Sequence, residues 1–230
     1  MLKNKKIIYL NLAFIIYACC SFFFFILFKE GDWKFSGYEG LPIGMIWNLF
    51  LAYISYNLVF LLMRLKNKYG QIICFFLAFL FYPNSFYMIT DAKHIGDWFP
   101  NPRTFNFIGT KETIYYMLLM SAVFLGVLIA VETMLLFLKV FLHKKIYRLI
   151  FIIVTSFLSS VAIYAGRVDN ELLRLNSWDL ILRPFYTIES LFRIISPEHF
   201  VFLLAFTLFQ VFMITLGFIF SMKDEEGERG

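Results

Sequence analysis

The chain has 230 residues, of which 60% are hydrophobic and 31 are Phe, and it carries a formal net charge of +5. A soluble domain of this length could not bury so much apolar surface, so the composition excludes a soluble enzyme or binding domain. The positive charge comes with no nucleic-acid recognition motif, so it is not evidence for nucleic-acid binding, and we expect none.

Long apolar runs predict six transmembrane helices, because about 20 apolar residues on a helix cross roughly 30 Å of hydrocarbon. We place them at residues 7–28, 41–63, 71–90, 113–138, 149–166 and 199–222. The predicted fold is therefore an all-α membrane bundle that forms one domain over residues 1–222. The acidic tail at 223–230 is expected to be disordered.

The distribution of basic residues predicts the orientation of the bundle. Twelve of the 21 Lys and Arg residues lie in the amino terminus, the carboxyl-terminal tail and the short turns after the second and fourth helices. Since basic residues stay on the cytoplasmic side, both termini are expected to be cytoplasmic. The longer connections at 29–40, 91–112 and 167–198 then form a polar extracytoplasmic face. Anionic lipid of the inner leaflet, rather than nucleic acid, accounts for the positive charge.

Pro83 interrupts the third apolar run and predicts a break there, with Asn84 and Ser85 bonding the freed backbone groups. Asp91 and His94 follow, three residues apart, so a continuing helical turn places them on one face. An Asp–His pair of this kind can orient an imidazole for proton transfer, which makes both residues candidates for catalysis. The pair is too small to predict a metal site. The plainer alternative is that these residues only cap the helix at the interface.

The last extracytoplasmic loop contains four basic residues, and all are arginines, whereas nine of the twelve cytoplasmic ones are lysines. Guanidinium suits two-pronged contact with phosphate or carboxylate. Arg167, Arg174, Asn176 and Trp178 are therefore candidates for binding a lipid phosphate, and Asp179 is a third catalytic candidate. The alternative is that the arginines pair with acidic residues of the same loop.

Local structure in this loop is also predicted. Asn176–Asp179 is typical of a turn that begins a helix, with Trp178 at headgroup depth. The pattern of residues 185–195 predicts a short amphipathic helix on the membrane surface.

The segment FYPNSFYMITD with His94, and the segments IYAGR and LRLNSWD, resemble a bacterial family of multi-spanning membrane proteins known as domain of unknown function 1361. The resemblance is carried by Pro83, Asn84, Tyr87, Thr90, Asp91, His94, Gly166, Arg167, Arg174, Asn176, Ser177, Trp178 and Asp179. Arg167 and Arg174 are further apart than in the usual motif. The resemblance implies a multi-pass protein of the bacterial plasma membrane and the choice of site residues. It implies no activity and no cofactor.

Since both polar segments leave the membrane on the same predicted side, we expect them to form one pocket at the outer leaflet. The arginines would hold the anionic head of a membrane lipid or a lipid-linked envelope molecule, and His94 with Asp91 or Asp179 would move a proton. Whether this pocket catalyses a reaction stays open, and no cofactor is predicted. Two other classes also stay open: a non-catalytic accessory or assembly subunit, and a small transporter that uses Glu132, the one charge within the fourth helix.

Overall fold

The structure is a computed structural model, and it describes residues 2–28, 41–94, 109–141, 144–168 and 175–227. Its elements in chain order are α1 (Leu2–Leu27), α2 (Leu41–Leu62), α3 (Lys68–Phe81), α4 (Pro83–Tyr87), a 3-10 helix (Met88–His94), α5 (Thr110–Phe141), α6 (Lys145–Ile163), a π-helical turn (Tyr164–Val168), α7 (Asp179–Leu182), α8 (Pro184–Ile194) and α9 (Phe200–Gly227).

Six helical segments are long and apolar enough to cross a membrane, as the sequence predicted. They are Ile7–Leu27, Ile43–Leu62, Lys68–Asp91, Thr113–Val140, Lys145–Gly166 and Phe200–Ser221. Two of them, Lys68–Asp91 and Lys145–Gly166, begin three and four residues before the predicted start. Lys68 and Lys145 begin helices because a lysine stem can lie along apolar surface while its ammonium stays in water.

The last helix requires a correction. α9 continues to Gly227, so most of the tail that the sequence predicted to be disordered is helical up to that residue. The physical reason is that each residue added to an existing helix gains one backbone hydrogen bond without a new nucleation step. Residues 228–230 lie outside the described part of the chain.

α5 lies at the centre of the bundle. Its residues join two buried apolar clusters, one with α1 and α2 and one with α4, α6 and α9. The outer surface of the spans is apolar too, since more than half of Phe23, Phe124 and Phe220 is exposed. An apolar exterior on helices of this length fits a multi-pass membrane protein, whose lipid-facing surface needs no water contact.

Gly126 lets α5 come unusually close to the short helix α4. A Cβ at Gly126 would stand 2.0 Å from Met88 Cε and 2.7 Å from the Ser85 carbonyl oxygen. Real Cβ atoms do not come this close to backbone, so only glycine permits this approach. The contact places α4 directly against α5.

The third span breaks at Pro83, as predicted, because proline supplies no N–H for the helical ladder. Asn84 Nδ2 donates to the Phe81 carbonyl oxygen at 3.0 Å, so this side chain bonds one of the backbone groups near the break. The Ser85 hydroxyl, which was expected to do the same, is buried and has no hydrogen-bond partner among the described residues.

Candidate functional site

The two polar segments singled out in the sequence are in contact with each other. Asn84 Nδ2 of α4 donates to Ser177 Oγ at 2.9 Å, across 93 residues of chain. Gly166 packs against both segments, since a Cβ there would meet the Leu175 carbonyl oxygen at 3.0 Å and Tyr87 Cε2 at 3.1 Å. The carboxyl ends of the third and fifth spans therefore lie side by side.

Residues Asn176–Asp179 form the predicted turn and the start of α7. The Asp179 carboxylate accepts from the Asn176 backbone N–H at 2.6 Å, and the Asp179 N–H donates to the Asn176 carbonyl oxygen at 2.9 Å. These two bonds close the turn that precedes α7, whose N-cap residue is Trp178. Asp179 thus holds the turn that carries Ser177 and Trp178.

Asp91 lies in the 3-10 helix and is almost fully buried. Its Oδ2 accepts from Asn48 Nδ2 of α2 at 3.3 Å. Residues three apart in a 3-10 helix are stacked along its axis, so the backbone puts positions 91 and 94 in register. The His94 side chain lies outside the described part of the structure.

A cavity of about 760 Å³ lies between α2, α3, α4, α6 and α8 and ends at the turn that begins at Leu175. Its polar end is formed by Asn84, Asn176, Ser177 and Trp178, and the rest is lined largely by apolar side chains such as Phe79. No charged side chain lines it within the described residues. Apolar walls with a few convergent polar groups are typical of small-molecule sites, and this volume lies in their range.

Three buried hydroxyls in the cavity wall have no hydrogen-bond partner among the described residues. They belong to Thr155 and Ser159 on α6 and to Thr187 on α8. A buried hydroxyl normally has a partner. The three oxygens expose almost no surface, even to the cavity, so a molecule there can bond them only if the side chains rotate.

α8 forms one wall of the cavity and packs against the π-helical turn. It turns Thr187 and Ser190 toward the protein, while Phe185 is 88% and Phe192 70% exposed. Its Glu189–Arg193 ion pair, at 2.6 Å, is also exposed. The sequence predicted a short amphipathic helix here, and the outward side of α8 carries both apolar and charged side chains.

The structure places the predicted site residues in different surroundings. Asn176 and Trp178 line the cavity, whereas Asp91 and Asp179 do not and are bonded to neighbouring groups. Arg174 lies outside the described residues, and so does the Arg167 side chain. Their assigned roles, and that of His94, stay predictions.

No metal site emerges from the described part of the chain. Within it, no three His, Cys, Asp or Glu side chains come together in a way that could hold a metal ion. Glu132 of α5 lies close enough to Tyr56 of α2 for the two to interact electrostatically.

Sequence reasoning missed the hydroxyl and amide groups within the spans. Gln210 Nε2 of α9 donates to Ser160 Oγ at 2.9 Å and to the Ser156 carbonyl oxygen at 3.2 Å, which joins the fifth and sixth spans. Thr207 Oγ1 lies 3.1 Å from Ser160 Oγ. The four-residue spacing in TSFLSS was a usable signal, because it places polar groups on one helix face.

Residues 47–213 match the profile of a family described as protein of unknown function (DUF1361). The chain belongs to this family. The DUF1361 match begins at Trp47 of α2 and ends in α9, so it contains every described residue that lines the cavity. No curated protein and no solved structure matches the chain.

Proposed function

We propose that this DUF1361 protein binds an anionic lipid or a lipid-linked envelope molecule in the outer leaflet of a bacterial plasma membrane, with both of its termini cytoplasmic. The observation that supports this best is the cavity, which is polar at one end and mainly apolar along the rest. This division matches an amphiphilic ligand, whose polar head forms hydrogen bonds and whose apolar part is buried away from water.

The two arginines are the groups we assign to the anionic head. Arg167 directly follows Gly166, and Arg174 directly precedes Leu175; both of these neighbours line the cavity. The Leu175 N–H donates to the Ala165 carbonyl oxygen at 3.2 Å, so the backbone positions next to the two arginines are close together. Two guanidinium groups from these positions can share one phosphate, which is the contact that arginine makes best.

If the site also processes its ligand, we assign the proton transfer to His94. Asp91 stands one 3-10 turn before it, and a buried carboxylate is the usual partner that orients an imidazole. Asp179 is the less suitable partner, since its carboxylate already holds the turn at Asn176.

The test is to replace Arg167 and Arg174 separately with Gln and to measure the lipids that bind the purified protein. Phosphatidylglycerol and phosphatidylcholine are supplied in mixed micelles, and bound lipid is counted by native mass spectrometry. A hydrogen bond to a charged group contributes about 1.5–3 kcal/mol, so each change is expected to weaken phosphatidylglycerol binding roughly tenfold or more.

Arg193→Gln is the matched control. Arg193 belongs to the same predicted outer loop but lies in the last turn of α8, where it forms an exposed ion pair with Glu189. Its replacement should therefore leave lipid binding unchanged. Equal phosphatidylglycerol binding by folded wild-type, Arg167→Gln and Arg174→Gln proteins would contradict the proposal.

One observation favours the accessory-subunit alternative. α8 and the residue that ends α7 expose Leu182, Phe185 and Phe192 in one stretch, and an exposed apolar surface of this kind can dock a protein as well as lipid. Replacing Leu182 and Phe185 with Ser distinguishes the two, because neither residue lines the cavity. Loss of a protein that co-purifies in stoichiometric amount, with lipid binding intact, would favour the subunit over the lipid site.

A further inference from the structure

The shape of the cavity and its lining residues indicate which part of the ligand it binds. We infer that it is a groove open sideways to the membrane, which holds one acyl chain of a lipid together with the neutral ester or amide linker above that chain. This deepens the proposed function and rests on it for the anionic head.

The length of the groove matches one leaflet. Eleven residues of the fifth span separate Thr155 from Gly166, and both line the cavity. At 1.5 Å per residue this is about 16 Å, close to half of the roughly 30 Å hydrocarbon core. Phe76 and Tyr87 bound it over the same number of residues on the third span. The groove therefore runs from mid-membrane to the surface where the polar segments meet.

The rim of the groove faces lipid. Trp47, Phe76 and Leu158 line the cavity and are 53%, 50% and 42% exposed, respectively. They lie on three different membrane-spanning helices, so the surroundings of their exposed sides are hydrocarbon and not water. A lipid of the same leaflet can move one chain sideways between them without leaving the bilayer.

The polar groups of the wall fit a neutral linker. A charged headgroup cannot enter the groove at low cost, because no charged side chain lines it within the described residues. Ser159 and Thr187 are at most 4% exposed and lack partners among those residues, and α8 packs against the π-helical turn near the polar end. Their oxygens expose almost no surface, so each hydroxyl can donate to an ester or amide carbonyl oxygen only after its side chain rotates toward the groove. Thr155 lies one turn deeper, at the level of the chain.

The experiment uses two photoreactive lipids, a phosphatidylglycerol and a phosphatidylcholine that carry the same diazirine midway along one acyl chain. The full-length protein is placed in phosphatidylcholine vesicles with either probe, irradiated, and its labelled peptides are identified by mass spectrometry. We expect phosphatidylglycerol to label the segments 76–87 and 155–166.

Ala162→Phe fills the groove, because Ala162 lines it and is partly exposed. This change should lower labelling of both segments at least fivefold, whereas Ala205→Phe, on the exposed side of α9, should not. Ser159→Ala and Thr187→Val should each lower labelling roughly fivefold, the effect of one lost hydrogen bond. Thr155→Val should leave it unchanged, because a chain offers no acceptor at that depth. Thermal unfolding of each variant confirms that it is folded.

The outcomes separate this inference from the proposed function. If both probes label the groove equally and Ala162→Phe abolishes the label, the groove is supported and the preference for anionic lipid fails. If Arg167→Gln lowers phosphatidylglycerol labelling but Ala162→Phe leaves it unchanged, the anionic site is supported and the groove is overturned. Labelling of neither segment by either probe, in folded protein, also overturns the groove.

Discussion

The contact between Asn84 and Ser177 is open to a direct energetic test. Asn84 Nδ2 donates to the Phe81 carbonyl oxygen at 3.0 Å and to Ser177 Oγ at 2.9 Å. Asn84→Ala removes both bonds and leaves a carbonyl beside the Pro83 break without this donor, so we expect unfolding to become easier by about 1–3 kcal/mol. Ser177→Ala removes one bond and should cost about 1 kcal/mol or less.

The double variant isolates the bond between the two segments. If Asn84 and Ser177 bond as described, the single effects should not add, and the coupling free energy should be about 0.5–1.5 kcal/mol. The assay is reversible unfolding in mixed micelles with increasing dodecyl sulfate, followed by circular dichroism.

Ser121 provides a matched control for this cycle. Its hydroxyl donates to the Met117 carbonyl oxygen at 2.7 Å on an exposed face of α5. Asn84→Ala and Ser121→Ala should therefore add within about 0.5 kcal/mol. A coupling between Asn84 and Ser177 no larger than this control would refute the reasoning that this bond holds the two segments together.

Three further predictions concern the bundle. Gly126→Ala should destabilise the protein by about 1–2 kcal/mol in the same assay, because the Ser85 backbone must move, whereas Gly44→Ala, which meets no atom within 4 Å, should be neutral or stabilising. Gln210→Leu should cost about 0.6–2 kcal/mol, the usual range for a hydrogen bond between membrane helices, and an effect near zero would show that the contact with the fifth span is dispensable. Glu132→Gln should leave phosphatidylglycerol binding in native mass spectrometry unchanged, since Glu132 does not line the cavity; a clear loss would favour the transporter alternative.

The spans and the break at Pro83 were predictable because they depend on local chemistry. An uncharged run of about 20 residues identifies a crossing wherever it occurs in the chain, and proline removes a helical donor in any context. The role of Asn84 followed from the same reasoning, since a freed carbonyl in the membrane needs a nearby donor. The helix ends were predicted less accurately, because the boundaries were placed next to charged residues. In the structure two helices begin earlier, at Lys68 and Lys145, and the last helix continues to Gly227.

Which residues meet across the bundle was much less predictable. Asn48 bonds to Asp91 across 43 residues and Gln210 to Ser160 across 50, and neither pairing has a signal in local composition. Serine and threonine hydroxyls inside a span barely change its mean hydropathy. Ser159 therefore gave no sign in the sequence that it lines a cavity. The cavity depends on three spans and α8 at once, and no single segment reveals it.

The residues that carried the family resemblance divide by what they do in the structure. Asn84, Gly166, Ser177 and Asp179 build the junction of the two segments, through hydrogen bonds or close packing. Such residues would be needed whatever the junction is for, so their presence alone identifies no ligand. The arginines are different, because the contact between Ala165 and Leu175 involves main-chain atoms alone. Replacing the two arginines therefore tests the proposed anionic ligand more directly than replacing any residue of the junction.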